Sequence, residues 1–475
     1  MPHGGAVVAV LVVYLFVMLA IGIWAERRSK TKEDFILGGK SLGPWLAGLS
    51  YAASTSSAWV MLGFTAFVFV KGLSALWIVP GVWVGYTLVW LWAGPKLQAE
   101  SRSHGHLTLI DFMTARAKGP MRSAIATLAA CLIVISFCFF IAGQMRGAGQ
   151  SFDAALGVGL TGGVLIGAGV VLFYMFFGGF WAASLTDTIQ GAVMAIVAII
   201  LPTAAVVAAG GPQQVWMELG AQQAIGALPE GYFDWTGGAA PLVLAGTIIG
   251  LFSAGFGSLG QPHLLNWLMA LKDDKVRVQG FLITLTWGVI IYIGMASLAL
   301  AARALAIDAV PEQVFFAAAN KLLPPMLAGL TVAAVLAAIM STVDSQLLVA
   351  SAAVSHDMRL GERFKKQELL ITRLVMIGIC AAAVVLTFFL PEAIFTRVLF
   401  AWAALGAAFG PIVAVRVFGV EPQPWAIFMA MLSGFALTVV FYLLPDTPGD
   451  IAERTLPWLP SLLLLLLFRQ KKAAA

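Results

Sequence analysis

Long, nearly uninterrupted apolar runs constrain this chain more than any other feature. The first, residues 5–25, contains no charged residue at all. An α-helix rises 1.5 Å per residue, so about 20 apolar residues cross the ~30 Å hydrocarbon core of a bilayer. Such runs recur near 5–25, 44–70, 73–97, 123–150, 156–179, 184–209, 238–268, 277–302, 326–355, 370–390, 394–416, 422–445 and 455–469. Of the 475 residues 60% are hydrophobic and 11% charged, where soluble domains carry roughly 25% charged residues. A water-soluble globule cannot bury so much apolar surface, and the bilayer is the alternative solvent. An outer-membrane barrel is excluded because its strands are short and alternating. The expected fold class is an all-α polytopic membrane protein of about 13 transmembrane helices.

The first run is too long for a signal-peptide core, and no Lys or Arg precedes it. It reads as an uncleaved span with its N-terminus outside. On that layout Lys71, Arg146, Arg303, Lys321, Arg397 and Arg454 lie outside. The remaining 22 of the 28 Lys and Arg residues lie inside, the bias that fixes orientation in membrane proteins. The C-terminus is then cytoplasmic, and the expected location is the inner (plasma) membrane, with the lipid bilayer as the chain's solvent. The net charge of +5 is spread over short loops, so no nucleic-acid-binding face is expected. Cys131, Cys138 and Cys380 all sit in apolar segments, and an odd count without paired spacing suggests neither a disulfide framework nor a zinc site. The longest polar stretches, 96–122 and 210–237, are loops rather than soluble domains, and no obligatory protein partner is evident. Function must reside among the spans.

Two spans are internally broken. The second carries Ser54-Thr55-Ser56-Ser57 in an otherwise apolar run; the seventh carries Gly255, Gly257, Ser258, Gly260 and Gln261-Pro262. Gly and Pro weaken the helical ladder, and hydroxyls offer the freed backbone other partners. Irregular backbone at membrane depth survives only when packed in protein or lining a cavity. The two breaks lie five spans apart, and five-helix units insert with opposite orientations. One transporter domain over 1–475 is expected: an extra helix and inner loop (5–43), a first repeat (44–209), a second inverted repeat (238–416) and two C-terminal helices (422–469). Paired broken helices point to the binding site of a secondary transporter.

The stretches Leu37-Gly-Gly-Lys-Ser-Leu-Gly-Pro44, Gly178-Gly-Phe-Trp-Ala-Ala-Ser-Leu-Thr-Asp-Thr188, Gly260-Gln-Pro-His263 and Ala337-Ala-Ile-Met-Ser-Thr342 resemble the sodium:solute symporter family, above all its sodium/proline branch. The likeness is collinear over about residues 5–470. It implies a LeuT-type fold with two inverted five-helix repeats, and Na+ as coupling ion without ATP.

Sodium is a hard cation and needs oxygen ligands to replace its hydration shell. Ala338, Ser341, Thr342 and Ser345 share one helical face at i, i+3, i+4 and i+7. Membrane Ser and Thr hydroxyls often bond back to the preceding turn. The resemblance nonetheless implies a sodium site of the Ser341 and Thr342 hydroxyls with carbonyls of Ala53, Ser56 and Ala338. It also places Asp187 on the route by which sodium leaves; an N-cap at the start of span 6 is the alternative role. Asp344 lies about 60° around the helix from Ser341. It either holds a partner helix or carries a proton in the cycle.

The substrate pocket is expected between the two breaks. Ser57, Ala58 and Trp59 follow the first, where a backbone amide can receive a carboxylate; a lone membrane Trp is more often packing, and the resemblance is what implies that the Trp59 indole covers the apolar part of the solute. In the resemblance, proline symporters have Asp at Thr55, Tyr at Phe140, and Trp and Tyr at Ala254 and Ser258. Losing two rings is expected to open volume and favour a larger or differently shaped solute. His263 reads as a structural hydrogen-bonding residue. Gly39-Lys40-Ser41 resembles the end of a P-loop, but its first Gly would fall at Asp34. Gly39-Lys-Ser-Leu-Gly43 matches a hydrolase elbow without the strand–turn–helix setting. The chain therefore reads as a transporter, not an enzyme, taking up a small organic solute, with proline or a related amino acid as first candidate. Alternatives are a sodium- or proton-coupled monocarboxylate or pantothenate-like acid transporter, and a solute sensor working with a separate signalling partner.

Overall fold

The computed structural model describes residues 4–359, 367–389 and 394–470. Leu390, at the end of the expected tenth span, lies outside the described residues, as do Arg363, Lys365, Lys366, Lys471 and Lys472. Among the described residues, ten helical stretches are long and apolar enough to cross a membrane. Two of them, Pro44–His104 with 61 residues and Gly159–Ala208 with 50, are too long for one crossing and each divides in two. The first turns at the 3-10 segment Gly72–Trp77, where Gly72 has φ 67°. The second turns at Gly179, with φ 53° and ψ −135°. Twelve spans result. The expected thirteenth is the ten-residue helix Trp458–Leu467 preceded by Ile451–Thr455. Short helices Pro212–Ala224 and Val314–Leu322 occupy the loops between spans 6 and 7 and between spans 8 and 9.

Span 9, Pro325–Ala352, forms the centre. Every residue from Thr331 to Ala353 is buried, as a helix without a polar face must be when other helices surround it. Spans 1, 2, 4, 5, 6 and 10 pack against it. Its small residues allow close approach, and hydroxyls that bond back to the preceding turn stay satisfied, as Ser351 does with Leu348 O at 2.8 Å.

Both expected breaks are present. Span 2 is interrupted at Ser57, with φ 45° and ψ −176°, a left-handed conformation costly for a residue with a Cβ. Span 7 runs as Pro241–Ser253, a 3-10 turn at Phe256–Gly260, then Pro262–Met269. The turn sits against span 3 so closely that a Cβ on Gly255 would overlap the Gly81 carbonyl. Only glycine permits this contact.

The basic loops gather on one face. Lys32 pairs with Glu368, Lys40 Nζ donates to Ser101 O at 2.7 Å, and Arg416 Nη2 reaches Glu100 at 3.2 Å. Leu42 pairs with Leu271, and Asp111 with His356. These contacts bring together loops that the charge bias assigns to one side.

Candidate functional site at the broken helices

Spans 2 and 9 meet through a knot of oxygens. Thr342 Oγ1 donates to Ser54 O or Ala338 O, both at 3.1 Å, and Ser341 Oγ lies 3.2 Å from Ala338 O. Ser54 Oγ lies 3.2 Å from both Ser341 O and Asp187 Oδ2. All these groups are buried. The carbonyl that meets Thr342 is that of Ser54, which the sequence reading left out. Ala53 and Ser56 are buried on the same stretch, and the Ser56 carbonyl accepts from Trp59 N–H.

Asp187 is not an N-cap. Span 6 restarts after Gly179, so Asp187 lies two turns inside the helix and is fully buried. Asp344 is also fully buried, accepts from Tyr174 OH at 3.1 Å, and lies close enough to Asp187 for the two carboxyls to interact electrostatically. Among the described residues, the Oδ1 atoms of both carboxyls have no hydrogen-bond partner. Two acceptor oxygens left over beside a knot of carbonyls and hydroxyls make an arrangement that a cation fits.

A narrow cavity of about 30 Å³ lies beside the two breaks, smaller than a bound solute needs. Trp59, Phe140, Ala254, Ser258 and Thr55 line it. Ser57 and Ala58 are not among its lining residues. The amides expected to receive a carboxylate are engaged instead: Ala58 N donates to Gln144 Oε1 at 2.9 Å, and Trp59 N lies 3.1 Å from Ser57 Oγ.

Sequence reasoning missed the rest of the wall. Tyr86 from span 3, Tyr292 from span 8 and Trp402 from span 11 line the cavity. Thr55 Oγ1 lies 3.1 Å from Tyr86 OH. Trp402 Nε1 donates to Ala254 O at 2.8 Å, and its indole crowds Gly257. The volume expected from the missing rings at 254 and 258 is therefore partly taken by Trp402. His263 packs edge-on between Phe137 and Trp402, and neither ring nitrogen has a hydrogen-bond partner among the described residues. Its expected hydrogen-bonding role is replaced by ring packing.

The family model "Sodium:solute symporter family" matches residues 35–434. The chain is 32% identical to the osmoregulated proline transporter OpuE of Bacillus subtilis (strain 168), over 90% of this chain and 87% of that protein. It is 31% identical to the sodium/proline symporter of Escherichia coli (strain K12), over 90% and 86%. Its fold is that of a solved Na+-coupled sialic acid symporter in a substrate-bound outward-open state. That match has a TM-score of 0.79 at 16% identity and covers 98% of this chain and 99% of that one. MhsT in complex with L-phenylalanine matches with a TM-score of 0.55 at 14% identity, over 90% and 98%. These neighbours share the LeuT-type fold, and the chain belongs to the sodium:solute symporter family.

Proposed function

We propose that this sodium-coupled symporter carries a small zwitterionic amino acid into the cell, with L-proline as first candidate. The observation that carries the reading is the junction of two sites on one broken helix. Span 2 offers backbone and hydroxyl oxygens to Ser341 and Thr342 on one side. On the other it offers Thr55 and Trp59 to an aromatic cavity. Sodium is held by the Ser341 and Thr342 hydroxyls with the carbonyls of Ala53, Ser56 and Ala338, and Asp187 receives it on the way out. An ion bridging spans 2 and 9 fixes their relation and preorganises the cavity. Solute then binds more tightly, and linkage requires it to strengthen sodium binding by the same factor. With the basic face in the cytoplasm, a ~100 mV potential supplies about 2.3 kcal/mol per charge. A tenfold sodium gradient adds about 1.4 kcal/mol, enough together for accumulation of a few hundredfold by one ion.

Among the described residues, the cavity lining contains no charged side chain. Burying a net charge there is unfavourable, which favours a zwitterion over a monocarboxylate. L-Proline titrated into the purified protein is expected to bind in sodium and weakly in potassium. Equal binding in both would overturn the coupling. Trp402→Ala removes the ring beside Ala254 and is expected to weaken L-proline binding at least about tenfold. Protection of the protein by sodium against thermal unfolding is expected to stay as in the unmutated protein. Loss of both together would show that Trp402 serves the fold rather than the pocket.

A further inference from the structure

Away from the broken helices, the basic face holds a second cluster of ligand-type side chains. The short helix Leu109–Thr114, in the loop between spans 3 and 4, is capped by Thr108, whose Oγ1 accepts from Asp111 N–H at 3.1 Å. The cap turns Asp111 toward the end of span 9, which tightens into a π-turn at Ala353–Asp357. There His356 Nε2 lies 3.0 Å from Asp111 Oδ2, and Thr108 Oγ1 donates to Asp357 Oδ1 at 2.8 Å. One ligand atom from each of Asp111, His356 and Asp357 falls within 4.8 Å of the others.

The cluster is incompletely satisfied. Asp357 is 4% exposed, and its Oδ2 has no hydrogen-bond partner among the described residues. A buried carboxylate oxygen without a donor costs several kcal/mol unless a cation meets it or the group takes up a proton, and burial does push the Asp357 carboxyl up to about 7. His106, close enough to Asp111 to interact with it electrostatically, is 8% exposed, and its Nδ1 has no partner among the described residues. Asp111 is by contrast firmly oriented, with Oδ1 held by Arg122 Nη2 at 3.2 Å and Oδ2 by Leu107 N–H at 3.1 Å. Arg122 on the other side of that carboxyl fixes its orientation, as groups behind metal ligands do.

We propose that Asp111, His356 and Asp357 bind a divalent transition-metal ion of the zinc class, at a site separate from the sodium junction. The donor set decides the class. An imidazole nitrogen with two carboxylates suits zinc and its neighbours, whereas calcium and magnesium prefer oxygen alone. Spacing is close: two tetrahedral ligands each about 2.0–2.1 Å from one ion stand roughly 3.3–3.4 Å apart, against 3.0 Å between His356 and Asp111 and at most 4.8 Å across the set, so the ion draws Asp357 inward. The ion replaces the hydrogen bond between them and meets the unpartnered oxygen of Asp357, with water completing its shell. It ties the loop before span 4 to the end of span 9, about four turns from Ser341 and Thr342.

Calorimetric titration of Zn2+ into chelator-treated, untagged full-length protein tests the site. One ion per chain is expected, with His356→Ala and Asp357→Asn each raising the dissociation constant at least about tenfold. His104→Ala, on an exposed residue outside the set, is expected to leave it unchanged. Zinc binding that survives both His356→Ala and Asp357→Asn, or no binding by the unmutated protein, would overturn the site. A second measurement needs no variant. Saturating Zn2+ is expected to shield His356, but not His104, from diethyl pyrocarbonate, with labelling mapped by mass spectrometry. Equal labelling of His356 with and without Zn2+ would contradict the proposal.

Discussion

Replacing Ser341 and Thr342 together by alanine is expected to abolish sodium-driven accumulation while the protein still folds. Both hydroxyls bond back to Ala338 O, and Thr342 also meets Ser54 O. Alanine removes these donors and leaves only carbonyls, which tolerate a lost donor better than a buried N–H does. The ion is affected far more. A hydrogen-bonding group facing a charge contributes about 1.5–3 kcal/mol, so losing two is expected to weaken sodium binding by roughly 10²- to 10⁴-fold. The sodium concentration that half-protects the purified protein against thermal unfolding reads this directly. An unchanged midpoint would place the ion elsewhere, with the Oδ1 atoms of Asp187 and Asp344, unpartnered among the described residues, as the next position to test.

Gly255→Ala is expected to have the largest effect on the fold. The new Cβ would meet the Gly81 backbone carbonyl, and no rotamer change can relieve a clash between two backbones. Overpacking typically costs about 1–3 kcal/mol, and this contact belongs at or above the upper end. The same turn carries Ala254, Gly255 and Ser258 into the cavity, so displacement also disturbs the pocket. A clear fall in the thermal midpoint, or loss of the protein from the membrane, is expected. Gly378→Ala is the control: a Cβ there meets nothing within 4 Å, and its effect is expected to stay within about 0.5 kcal/mol. A Gly255→Ala protein as stable and active as the unmutated one would refute the close contact between spans 3 and 7.

The spans were legible because bilayer thickness turns apolar length into structure, and the breaks because hydroxyl, Gly and Pro clusters stand out in apolar runs. Gly179 separates spans 5 and 6 near the expected boundary. Its φ of 53° leaves the chain helical on both sides, so Asp187 belongs to a helix interior rather than to a cap. The pocket wall was less legible. Tyr86, Tyr292 and Trp402 are single aromatics in apolar spans, and nothing local distinguishes a ring facing a cavity from one facing a neighbouring helix. Gln144 did carry a signal: a lone amide in an apolar run must find a buried partner, and it holds the Ala58 N–H. Asp111, His356 and Asp357 lie 245 and 246 residues apart in two loop-adjacent segments, and only the fold brings them together.

Sodium coupling is tested most directly by accumulation of labelled L-proline in proteoliposomes at equal internal and external pH, with and without an inward sodium gradient. The account predicts accumulation that requires the gradient and collapses when sodium is equalised. Net flux of this kind also separates a transporter from a sensor. Accumulation that persists without sodium under an imposed proton gradient would contradict a sodium site between spans 2 and 9 as the coupling element.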